Sequence, residues 1–189
     1  MRQEEFVAAF LAFVLWYARY EFSGTTNVGS VARSGRREAV AAQKSYGCIP
    51  PWAFGLVWFV VYGANATGTY LYWREGPQSG NYLAVWALIL GNVIVNKSWS
   101  AIFADARAYT AGAITIFFNF ALAVALVIVL GVEGGANETL GYWPFVLFLP
   151  YTVWLAVAAV LNVRFVRAYK NVSFVRRGNE RGREGAGRQ

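Results

Sequence analysis

Five stretches of the chain, residues about 5–22, 51–73, 82–103, 108–130 and 142–166, are apolar over almost their whole length. Each approaches the roughly 20 residues that a helix needs to cross a hydrocarbon core. In that medium the backbone must satisfy its own hydrogen bonds, which a helix does within one segment. The spacing therefore predicts an all-α fold, a bundle of five transmembrane helices. Composition agrees: with 57% hydrophobic and 14% charged residues, a chain of 189 residues carries more apolar surface than a soluble domain can hide. The first block starts close to Met1 without the basic start and small-residue cleavage site of a secretory signal, so it is expected to stay attached.

An odd number of spans puts the termini on opposite sides of the membrane, and the basic residues then sort by side. Arg33, Arg36, Arg37 and Lys44 of the first loop, Arg107 of the third, and Arg164, Arg167, Lys170, Arg176, Arg177, Arg181, Arg183 and Arg188 near the end share one side. The other side has Arg2 and Arg74. By the positive-inside rule the first loop and the C terminus of this multi-pass protein face the cytosol. The net charge of +7 is thus read as a topology signal, and no nucleic-acid partner is expected. Residues 1–172 form one membrane domain with a long first loop at about 23–49, a lid or a disordered connection. Residues 173–189, rich in Arg, Gly and Glu, read as a basic disordered cytosolic tail.

Two absences narrow the chemistry. The chain has no histidine, the commonest metal ligand and neutral-pH base, so no metal site and no catalytic triad are expected. Its single cysteine, Cys48, excludes an intrachain disulfide.

What remains distinctive is aromatic and amide chemistry at membrane depth. Trp58 and Tyr62 are four residues apart and share a helix face. Asn92, Asn96 and Trp99 follow with spacings of four and three, and Trp154, Ala158 and Asn162 repeat a spacing of four. Interfacial tryptophans and helix-bridging amides account for many such residues, and that reading suits Trp73 and Trp143 at block ends. Trp58, Trp99 and Trp154 fall inside their blocks, where an aromatic cleft with a few placed amides suits a planar apolar ligand. Lys97, the one formal charge well inside a block, reads first as a side chain snorkelling toward Asp105 and second as a partner for a ligand carboxylate. Asn65 and Asn119 read as helix-packing hydrogen bonds, and Ala87 with Gly91 as a small-residue pair for close helix approach or dimerisation. With no carboxylate inside a block and no inverted repeat, a transporter or channel is the weakest reading.

The same residues carry a resemblance. Pro50-Pro51, Phe54-Gly55-Leu56-Val57-Trp58 with Tyr62, Asn96-Lys97-Ser98-Trp99-Ser100, and Pro150-Tyr151-Thr152-Val153-Trp154 with Ala158, Leu161 and Asn162 resemble, in order, the motifs of the TspO/MBR family. The likeness implies a five-helix bundle, often a homodimer, with a pocket for porphyrins such as protoporphyrin IX, haem-like tetrapyrroles or sterols. No cofactor is required. By the same likeness Trp58, Tyr62, Asn92, Asn96, Trp99, Trp154 and Ala158 would line the pocket and the first loop would close it. The protein is then a carrier, sensor or scavenger. The alternative is the light-dependent porphyrin breakdown reported for some bacterial members, with no catalytic residue assigned. The chain departs from the family in the first loop, where residues 38–42 lack an aromatic and Ser45 follows Lys44 in place of proline. Asn92 stands where many members have glutamine.

Overall fold

A computed structural model describes residues 51–75, 81–105, 108–136 and 140–186. The first apolar block, the long first loop, Cys48 and Pro50 lie outside the described residues. Among the described residues the architecture is all-helical: α1 (Pro51–Glu75), α2 (Tyr82–Ser100) running into a π-helical turn (Ala101–Asp105), α3 (Tyr109–Ala136) and α4 (Trp143–Ala186).

Each helix buries one stripe. In α2 the buried residues are Val85, Ile89, Asn92, Asn96 and Ser100, spaced three or four apart as a 3.6-residue period requires. The opposite faces are not polar: Leu83, Leu90 and Ile94 of α2, Ile114, Phe118 and Ile128 of α3, and Val153 and Val160 of α4 are exposed. Amides inside and aliphatic side chains outside are the arrangement for a lipid solvent. Three helical segments are long and apolar enough to cross a membrane: Tyr82–Phe103, Tyr109–Ala136 and Trp143–Asn171. Helix α1 has the length, but Gly63, Asn65, Thr67, Gly68 and Thr69 dilute its middle below the apolar content of the other three.

The helix ends follow local chemistry. Pro51 opens α1, where its missing N–H costs nothing. Arg74 in its last turn pairs with Glu75 and lies 5.5 Å over the Tyr70 ring. Between α2 and α3 the chain turns tightly, Ala108 N–H donating to the Ile102 carbonyl at 3.0 Å. The turn requires glycine at 112, since a Cβ there would lie 2.8 Å from Phe103 Cβ.

Helix α4 packs on both α3 and α1, and α3 packs on α2. The spatial order is therefore α2, α3, α4, α1, with a seam where α1 and α2 face each other. Pro150 lies inside α4 and leaves the Val146 carbonyl without its N–H partner, a loss that transmembrane helices tolerate when neighbours pack around it.

Two boundaries differ from the sequence reading. Helix α3 continues past Leu130 to Ala136 and buries Glu133, which is 4% exposed, so a carboxylate does lie within a span. The expectation of none arose from ending the block before Val132-Glu133-Gly134-Gly135, whose glycines read as loop. Glu133 accepts a 2.7 Å hydrogen bond from Asn81 Nδ2. Asn81 stands at the N-cap of α2 yet makes no side-chain cap bond, because its amide is turned to that carboxylate. Second, α4 runs on to Ala186 where a disordered tail was expected from residue 173. Once a helix is nucleated, each added residue gains a backbone bond, so a polar end prolongs a stable apolar helix.

Candidate ligand site

The seam between α1 and α2 holds a cavity of about 100 Å³, with α4 as its third wall. Tyr62, Asn65, Ala66 and Thr69 come from α1, Ile89, Asn92, Val93 and Asn96 from α2, and Phe148 and Tyr151 from α4. The spacing 62, 65, 66, 69 is one face of a helix, as is 89, 92, 93, 96, so two stripes meet across the gap.

Polar bonds fix several walls. Asn96 Nδ2 donates to the Tyr62 hydroxyl at 2.9 Å and so bridges α2 to α1. Asn119 on α3, fully buried, donates to the Tyr151 hydroxyl at 3.0 Å and holds that ring in place. Asn92 Nδ2 donates to the Leu88 carbonyl of its own helix at 2.8 Å, and Thr69 Oγ1 donates to the Asn65 carbonyl at 2.8 Å. Behind Tyr62 lies an aromatic cluster. Trp58 stacks on Tyr62 at 4.9 Å and 20° between planes, meets Trp154 edge-on at 6.0 Å, and lies 6.5 Å from Tyr151. Such pairs each contribute about 0.5–1.5 kcal/mol beyond the area they bury.

Of the seven residues singled out from sequence, Tyr62, Asn92 and Asn96 line the cavity. Trp58, 7% exposed, is buried directly behind it against the lining rings Tyr62 and Tyr151, and Trp154, 9% exposed, packs edge-on to Trp58. Ala158 is buried one turn beyond Trp154. Trp99 belongs elsewhere: its Nε1 donates to Asn162 Oδ1 at 3.1 Å and its ring stacks on Phe103 at 5.3 Å. Phe103 in turn joins Tyr109, Phe165 and Tyr169 in a second aromatic cluster at the α2–α3 turn. Lys97 is half-buried, and the side chain of Asp105 lies outside the described residues.

Sequence reasoning passed over Asn65, Thr69, Phe148 and Tyr151 as lining residues. Asn119 is the packing bond it was expected to be. Asn65 shows no such bond among the described residues; its Oδ1 is buried with no hydrogen-bond partner, as are Oδ1 of Asn92 and of Asn119 itself. The position of Asn65 three residues after Tyr62, on the same face, is the signal that was available.

A family model matches residues 9–167, described as the TspO/MBR family, and this span takes in every helix and side chain described at the cavity. The chain belongs to the TspO/MBR family. Among curated relatives, the Translocator protein of Homo sapiens is 33% identical over 144 residues, which cover 71% of this chain and 78% of that protein. The Translocator protein of Ovis aries is 31% identical over 61% of this chain and 64% of its own length. That of Bos taurus is 30% identical over the same shares. No solved structure gives a significant match. The TspO/MBR match begins at residue 9, so it also takes in the first apolar block, which lies before the described helices.

Proposed function

We propose that this TspO/MBR chain binds a flat apolar ligand, a porphyrin or another tetrapyrrole or a sterol, within the membrane, and acts as its carrier, sensor or scavenger. The observation that supports the reading is the meeting of α1, α2 and α4 at one cavity. Tyr62, stacked on Trp58 and bonded to Asn96, is its edge. Rings on separate helices supply π-faces, and the amides between them orient a guest. A cavity near 100 Å³ takes one ring or one end of such a ligand, since a cavity of comparable size holds benzene. A whole tetrapyrrole therefore requires the α1–α2 seam to widen, with the Asn96–Tyr62 bond as the first contact to yield. In the same reading the full bundle has five spans, the first being the block at about 5–22, the C terminus faces the cytosol, and the protein pairs as a homodimer. Gly91, whose Cβ would lie 3.7 Å from Leu122 Cδ1, serves α2–α3 packing, and Ala87, one turn before it on the same face, is exposed.

Titration of the purified protein in detergent with protoporphyrin IX, followed by tryptophan fluorescence, tests this reading. Saturable quenching is expected, with affinity falling about tenfold in Trp58→Phe or Trp154→Phe, the loss of roughly 1.4 kcal/mol of ring contact. Linear, unsaturable quenching in the wild type would remove the proposal.

A further inference from the structure

The outward face of α4 changes chemistry part-way along one stripe. Val153, Val157 and Val160 are exposed at spacings of four and three. The same spacing continues to Arg164 and Arg167, both exposed, and Lys170, also exposed, follows one turn on. The rotational setting of this face is fixed from behind. Phe165 and Tyr169, on the opposite side of α4, meet the Tyr109 ring at 5.0 and 4.8 Å, and Phe165 meets Phe103 at 5.2 Å. The three bases are thereby turned away from the bundle. No hydrogen bond or ion pair joins Arg164, Arg167 or Lys170 to another described residue, and the sequence has no acid between Glu138 and Glu180. Like charges one helical turn apart repel, and an anion lying across them relieves that repulsion.

Depth decides which anion. Trp143, 67% exposed, begins α4 as an interfacial anchor does. Counted from there at 1.5 Å per residue, a hydrocarbon core of about 30 Å ends near residue 163. Val153 then lies close to the bilayer midplane, and the roughly 16 Å from Val153 to Arg164 is the depth of one leaflet. The valines follow the length of an acyl chain, and the bases stand at the level of its phosphate.

We propose that this face of α4 is a binding site for an anionic phospholipid of the adjoining leaflet. The acyl chain lies along Val153, Val157 and Val160, and Arg164, Arg167 and Lys170 hold the headgroup phosphate. The site is separate from the α1–α2 cavity and does not depend on what that cavity holds. Phosphatidylcholine offers the same chains and phosphate, but its own ammonium cancels the charge that the bases recognise, so the site selects lipids of net negative charge.

Native mass spectrometry of the full chain, released from neutral micelles containing equal phosphatidylglycerol and phosphatidylcholine, tests the proposal. The first retained lipid is expected to be phosphatidylglycerol, favoured by about tenfold or more. Arg164→Gln, Arg167→Gln and Lys170→Gln should each lower its retention by up to about fivefold, the contribution of one base near an anionic surface. The triple variant should bring the ratio close to one and leave phosphatidylcholine unchanged. Arg181→Gln with Arg183→Gln, farther along the helix, should keep the wild-type ratio. Inorganic phosphate at millimolar concentration should not displace the lipid, since it lacks the chain. Should the triple variant fail to fold, the single variants and the wild-type ratio still decide. Equal retention of the two lipids, or a preference lost only in the Arg181 and Arg183 variant, would overturn the proposal. Displacement by inorganic phosphate would overturn it too, leaving an anion site without a lipid.

Discussion

At the scale of single residues, amides do two different jobs in similar apolar surroundings. Asn119 and Asn96 bridge to Tyr151 and Tyr62 on neighbouring helices, whereas Asn92 bonds the backbone of its own helix. Removing one partner of a buried pair leaves the other unsatisfied, whereas replacing both with apolar groups need not. Tyr151→Phe is therefore expected to destabilise the protein by about 1 kcal/mol. The double variant Tyr151→Phe with Asn119→Leu should recover much of that, as read from unfolding midpoints in detergent. Had the loss simply added, the hydrogen bond would be of no account. Asparagine at membrane depth was legible from sequence in each case. Which of the two jobs it does was not, because that depends on the rotational setting of a neighbouring helix that the one-dimensional pattern does not contain. Trp99 shows the same limit, since its spacing from Asn96 suits a shared face yet its indole turns to Asn162.

At the scale of elements, helix positions were readable from apolar length, while helix ends were set by contacts that sequence conceals. The glycines around Glu133 look like a loop, but Gly134 is there because α3 and the turn before α4 touch. A Cβ on it would lie 2.6 Å from the Gly141 carbonyl oxygen, and Gly141 itself has a φ of 57°, which glycine adopts without penalty. The Asn81–Glu133 bond ties the start of α2 to this corner. Glu133→Leu should release it: amide hydrogen exchange at Tyr82–Val85 is expected to accelerate several-fold while the middle of α2 remains protected. Gly112→Ala presses a methyl into Phe103 at the opposite corner and should cost about 1–3 kcal/mol, measured by the same unfolding midpoints.

At the scale of the whole molecule, polar residues point inward and aliphatic ones outward. That inversion was legible as hydrophobicity on all faces of α2 to α4, and it left α1 ambiguous because its central Gly, Asn and Thr residues serve the cavity. The distribution of Lys and Arg predicts a cytosolic C terminus. A protease or tag-accessibility assay on sealed vesicles of known orientation should find the end of α4 exposed on the cytosolic face, and exposure on the other face would reverse the assignment.

Helix α4 joins these scales, for its missing backbone bond at Pro150 sits between Phe148 and Tyr151, two walls of the cavity. Beyond that point the rod extends for roughly 50 Å. A bend of about 10° at the proline, small beside the movement a bulky guest would demand of the wall, swings the far tip by some 9 Å at this length. The occupied and empty forms would then differ most in a place no ligand touches, where a basic helical arm meets the aqueous phase.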